Sequence, residues 1–168
     1  MKRRLALAVP LLATRAAAGA VAAFRNTEVV LLQPEELIRQ RVADTKSLAT
    51  YIRDLDESAN SALDSVFQKK PTGGFVVVAL KPPRRARIWF DVDPPLPQSS
   101  EVALRSAVMS VQAPEISAGV VVFALKAAFW GGRLPPRAAP APQEWKAEAA
   151  RLGVKLEVGE LVERLWPD

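Results

Sequence analysis

The sequence predicts an α+β fold: a small, mainly antiparallel sheet on a helix-strand-strand-helix-strand core, strand order 3-1-2, with helices on one face and a Pro-rich C-terminal extension. Three observations carry this expectation. Apolar residues recur at three and four over residues 47–68. Two valine-rich runs, 74–81 (GFVVVALK) and 119–125 (GVVVFAL), are almost continuously apolar, as strands buried on both faces are. Between them Arg85–Asp93 alternates strictly, as a half-buried strand does.

Taken in order, residues 27–32 (TEVVLL) read as a short strand or extended entry. Gln33-Pro34-Glu35-Glu36 then opens a helix, with a proline whose missing amide hydrogen costs nothing in a first turn and acids facing the positive end of the dipole. The main helix carries Leu48, Tyr51, Ile52, Leu55, Ala59, Ala62, Leu63, Val66 and Phe67 in one stripe. Lys69-Lys70 suit its negative end, and Pro71-Thr72-Gly73-Gly74 stops it.

The first strand, 74–81, turns through Pro82-Pro83-Arg84 into the second. There Ala86, Ile88, Phe90 and Val92 share a dry face, and Arg85, Arg87, Trp89, Asp91 and Asp93 a wet one. Pro94, Pro95 and Pro97 break the chain, and Ser99 or Ser100 caps a helix to about Val111. The third strand, from Gly119, extends to Trp130 and stops at Gly131-Gly132. A tight turn makes the first two strands a hairpin, while a right-handed crossover through the second helix skips one position and sets the third strand beside the first. That order puts the continuously apolar strand in the centre and the alternating one at an edge.

Residues 133–143 (RLPPRAAPAPQ) are too rich in proline for helix or sheet and read as an extended linker. Beyond them, 144–152 reads as helix with Gly153 as its cap, 155–158 as strand-like and 160–166 as a short helix. The division is therefore 1–20 leader, 21–46 N-terminal segment, 47–130 α+β core, 131–143 Pro-rich linker and 144–168 a tail packing on the core. Helices 47–68 and 99–111 cover only one face of a sheet whose strands are apolar on both. Residues 21–46, the tail with Trp145 and Trp166, or another protein must cover the second.

The helix-strand-strand-helix-strand order over about residues 48–125 resembles the small periplasmic C-terminal domain of TonB and TolA proteins. The resemblance is one of topology and carries over no residue; the long segment after the last strand departs from it. It implies an envelope-assembly or chaperone-like accessory.

Composition narrows function by exclusion. The 168 residues suffice for one domain and contain no cysteine and no histidine. That removes disulfides, thiolate and imidazole metal sites, cysteine nucleophiles and every Ser-His-Asp arrangement. No apolar stretch reaches the roughly 18 residues of a membrane span. The net charge is +5, yet Lys2, Arg3, Arg4 and Arg15 all lie in the first twenty residues, which hold no acid. Without them nineteen basic side chains face 18 acidic ones, and a nucleic acid is not the expected partner.

Those twenty residues read as a secretory signal peptide: a cationic start, the apolar run 5–13 (LALAVPLLA) and a string of small residues. Ala18-Gly19-Ala20 places cleavage before Val21, and Ala20-Val21-Ala22 before Ala23. The expected location is periplasmic or secreted, with no stable membrane span after cleavage.

Chemistry-bearing patterns are sparse. Asp91 and Asp93 share one strand face about 7 Å apart, close enough for an acid and base pair or a shared cation. No third ligand or phosphate loop accompanies them, and no cofactor is expected. Arg85, Arg87, Trp89 and Asp91 form the binding patch, since cations beside an indole grip anionic groups on a protein or envelope component. The expected function is accordingly that of a non-catalytic exported protein binding a protein or envelope component through this sheet edge. The alternatives are a small carboxylate-dependent enzyme using Asp91 and Asp93, or the accessory that the TonB and TolA topology implies.

Overall fold

Four strands form one antiparallel sheet and helices pack on both of its faces in the computed structural model, which describes residues 19–168. The start and apolar run of the leader thus lie outside the described residues, while Gly19 and Ala20 are exposed. The elements are β1 (Phe24–Leu31), α1 (Glu35–Arg41), α2 (Thr45–Asp64), β2 (Thr72–Lys81), β3 (Arg85–Asp93), α3 (Gln98–Ser110), β4 (Val121–Phe129), α4 (Gln143–Leu152) and α5 (Val158–Leu165).

The class is α+β, and two finer expectations are corrected. The sheet has four strands, not three: residues 24–31 form a full strand that adds beyond β4, so the expected 3-1-2 arrangement is only the β4-β2-β3 part of the order β1-β4-β2-β3. Helices do not lie on one face: α1, α2 and α3 cover one, and α4 and α5 the other. The physical reason is the uniform apolarity of the inner strands. Val76, Val78 and Leu80 of β2 pack with Phe123 and Leu125 of β4 under Leu55, Leu63 and Leu104. Phe75, Val77 and Ala79 point the opposite way, with Val120, Val122 and Ala124, under Trp145, Leu161 and Val162. Each valine, leucine or phenylalanine among them left wet would forfeit about 1.5–3 kcal/mol, so both faces need a cover.

Both helical connections are split crossovers. β1 and β2 each pair antiparallel with β4 and so run parallel to each other with β4 between them; β3 and β4 stand likewise about β2.

Asp44 caps α2 by accepting the Lys46 amide at 3.0 Å. The helix ends at Asp64, short of the expected 68, because Leu63 is the last stripe residue to reach the core; its carbonyl accepts the Trp130 indole N–H. Residues 65–71 therefore form a loop, and Phe67 stands fully exposed on it. The α3 cap falls at Pro97, and Ser100 lies buried inside the helix with its hydroxyl donating to the Gln68 carbonyl at 3.2 Å. Residues 155–157 form no strand, and the chain passes from the left-handed Gly153 cap of α4 directly towards α5.

After β4 the chain reverses at Trp130 and Gly131, both left-handed, with φ of 48° and 74°. Gly132 then rests on the Thr72 backbone, and the Arg133 carbonyl on Gly73. The strap that follows, residues 133–142, has no helix or strand and carries the chain over the second face.

Candidate functional site

The alternation of β3 does place Arg85, Arg87, Trp89 and Asp91 on one face, and each of them meets the chain's own C-terminal part. Arg85 pairs with Asp168 at 2.7 Å, and its guanidinium lies 5.2 Å from the Trp166 ring centre. Arg87 donates to the Leu165 carbonyl at 2.7 Å and stacks on the Trp89 ring at 5.0 Å. Trp89 is 3% exposed; its indole N–H donates to Glu144 at 2.8 Å, and its ring meets Trp145 edge-on at 5.6 Å. Beside them the buried Lys81 ammonium donates to the Trp166 carbonyl at 2.6 Å.

Asp91 is the most tightly held member. Arg137 of the strap grips both its oxygens, one at 2.8 Å, and the Ala141 amide donates to it at 2.6 Å. Burial pushes its carboxyl up, but the Arg137 hydrogen bonds, the Ala141 amide and the charges of Arg137 and Lys146 outweigh that and hold it below the usual Asp range. A general acid needs the opposite shift. Asp93 is exposed at the strand end and does not share this clamp. Among the described residues no cluster of three or more His, Cys, Asp or Glu is placed to hold a metal ion.

The face read as wet is thus a seam between strand and tail. Arg137, Glu144 and Asp168 complete it, and sequence reasoning missed all three. A lone cation in a proline-rich run and a carboxylate at the last position were their only local signals.

The two edges of the sheet differ. On β3 the outward carbonyl of Ile88 is taken by Arg105 at 3.1 Å, whose guanidinium also lies 4.8 Å from the Phe90 ring centre. On β1 the Phe24 amide is taken by Asn60 at 3.0 Å, and a bulge at Thr27 follows. Beyond the bulge the Leu32 amide donates to the Val122 carbonyl, which sets the ladder alternation. The amides and carbonyls of Val29 and Leu31 then turn away from β4, and both side chains are exposed. Natural edges are blunted by charge, proline or cover; this short stretch carries none.

Two surface hollows bear on chemistry. One, of about 680 Å³, is walled by Lys81, Arg85, Glu163 and Asp168, so its charges belong mostly to the seam. The other, of about 440 Å³, lies between the start of α2 and the β2–β3 turn and is lined by Lys46, Tyr51, Asp54 and Arg84. Burial pushes the Tyr51 phenol up to about 12, and its hydroxyl has no hydrogen-bond partner.

Compared with family models, curated proteins and solved structures, the chain has no match. Fold and site therefore define its class: an α+β protein whose sheet is covered on both faces by its own helices and whose β1 edge stays open.

Proposed function

We propose that this chain is a non-catalytic, exported protein that holds a partner protein of the envelope by accepting an extended segment along β1. The observation that carries the reading is the outer edge of β1, where the backbone groups of Val29 and Leu31 face outward between two exposed apolar side chains. Such an edge is a template for one more strand, whose main chain supplies affinity and whose alternate side chains supply specificity. The sequence expectation placed the contact at Arg85, Arg87, Trp89 and Asp91. Those residues are engaged by the tail, so the reading moves to the opposite edge. The tripartite leader supports the exported half of the proposal.

The test is site-specific photo-crosslinking in a bacterium expressing the untagged full chain. A crosslinker at Leu31 is expected to give a discrete adduct in the periplasmic fraction that Val29→Lys abolishes. One at Val102, exposed on α3, gives none. Equal adducts at both positions count against the β1 edge. An intact Met1 product in the cytosol, in place of a chain starting at Val21 or Ala23, counts against export.

A further inference from the structure

We infer that the end of the molecule carrying Phe67, Lys69 and Lys70 is a peripheral contact surface for a bilayer containing anionic lipid. The inference rests on the reading of the chain as an envelope protein and names a second component that it touches. Its first support is the 65–71 loop. Phe67 is fully exposed, although aromatic rings are the side chains that gain most from burial. The loop is not loosely held: the Ser100 hydroxyl donates to the Gln68 carbonyl, and the helix before it is tied through Leu63 to Trp130. The ring is therefore presented to solvent by a structured support. An aromatic ring flanked by lysines suits the interface between headgroups and acyl chains, where the ring enters and the ammonium groups meet phosphate.

The second support is independent and concerns where the rest of the chain leaves. Phe24 and Thr72 both register with Phe129, so the loop entering β2 and the segment entering β1 emerge at the same end of the sheet. They stand two strands, about 10 Å, apart. Residues 1–18 therefore join the fold at this end, so the leader, with Lys2, Arg3, Arg4 and the apolar run 5–13, brings this end to the membrane before cleavage, and cleavage before Val21 or Ala23 leaves the new α-ammonium group here. Val21 is exposed here, as are Arg25 and Arg133. Among the described residues Lys70, Arg25 and Arg133 enter no ion pair, while Lys69 faces Asp64 at 3.6 Å. Asp64 faces Lys69, Glu101 in the first turn of α3 pairs with Arg105 at 3.2 Å, and Asp93 ends β3; with Arg25, Lys70 and Arg133 beside them, this end is net positive and complements an anionic surface. A protein partner would explain the exposed ring equally well, but not its place at the end where the leader holds the chain against the membrane until it is cleaved.

The chain has no cysteine, so a single label can be placed anywhere. The full chain is made as Gln68→Cys, and as Gln112→Cys at the opposite end near the β2–β3 turn. Each carries an environment-sensitive fluorophore and is mixed with vesicles of phosphatidylcholine, with and without phosphatidylglycerol. On the anionic vesicles the label at 68 is expected to shift to the blue and become shielded from an aqueous quencher, while that at 112 does neither. Phe67→Ser combined with Lys70→Glu is expected to weaken vesicle binding about tenfold, with an unchanged circular dichroism spectrum because both positions are exposed. A label at 68 that stays in water while the chain binds through its leader overturns the proposal. So does a label silent on both vesicles, which leaves Phe67 to a protein contact. A response at 68 from a chain that cells retain in the cytosol upholds this surface and overturns export, so the two readings fail separately.

Discussion

Arg137 of the strap closes on Asp91 of β3 with both arms of its guanidinium, and the Ala141 amide completes the clamp at 2.6 Å. The two residues are 46 positions apart in the chain. Their union fixes the strap against the sheet, delivers Trp145 onto Trp89 and so seals the second face. The Arg137 guanidinium also lies 5.3 Å from the Phe75 ring centre, joining the charged seam to the apolar core beneath it.

Removal of the arginine leaves a largely buried carboxylate with only the Ala141 amide to hold it. Arg137→Ala is expected to destabilise the fold by about 2 kcal/mol, measured by urea unfolding, and to expose residues 133–142 to protease. Arg137→Lys recovers only part of the loss, since an ammonium cannot reproduce the two-armed grip. Equal stability of the alanine variant and the parent would sink the account of the strap as clamped.

The same pair sets a pH dependence. The folded Asp91 carboxyl is held below its ordinary value, so its stabilisation is fully present above about pH 4 and is lost as pH falls through the depressed folded value. Asp91→Asn is expected to be less stable at neutral pH and to show a shallower loss of stability with acid. Thermal unfolding across that range checks both expectations; parallel curves for parent and variant would contradict them.

Two groups on α2 point the other way. The Tyr51 hydroxyl is buried without a partner, and Tyr51→Phe is expected to stabilise the chain by about 1 kcal/mol. Asp56 keeps one oxygen unpartnered, and burial raises its carboxyl above the usual range, offset in part by the Asn26 hydrogen bond. An acid with a raised folded value weakens the fold as pH rises through that value. Asp56→Asn is accordingly expected to increase stability at neutral pH and not at low pH. A fall in melting temperature for Tyr51→Phe would mean that the hydroxyl is satisfied.

Glycine substitutions separate two physical causes. A Cβ at Gly132 would overlap the Thr72 backbone, which cannot move without unpairing β2, and Gly132→Ala is expected to cost about 1–3 kcal/mol. A Cβ at Gly153 meets nothing, yet φ there is 66°, and Gly153→Ala is expected to cost about 1 kcal/mol through backbone strain alone. Chemical denaturation of the two variants ranks them; a milder effect at Gly132 would refute the close approach.

The candidate site was half legible. That Arg85, Arg87, Trp89 and Asp91 share a face followed from the strand period, a property of nine consecutive residues. What meets that face did not, because Asp168 lies 83 positions from Arg85 and Glu144 lies 55 from Trp89. Neither partner belongs to a periodic pattern, and a cation facing a carboxylate across such a distance leaves no local trace.

By itself the sequence determined what contiguous residues encode: the α+β class, the apolar strands that become β2 and β4, the β2–β3 hairpin, and the demand for cover on a second face. Only the tertiary structure decided which segment supplied that cover, that β1 would add beyond β4, and that α2 would stop at Asp64 and leave Phe67 in water. Periodicity arises from the geometry of one element and is written in its own residues. Docking is settled by competition among all the surfaces still unburied, and that competition exists only once the chain has folded back on itself.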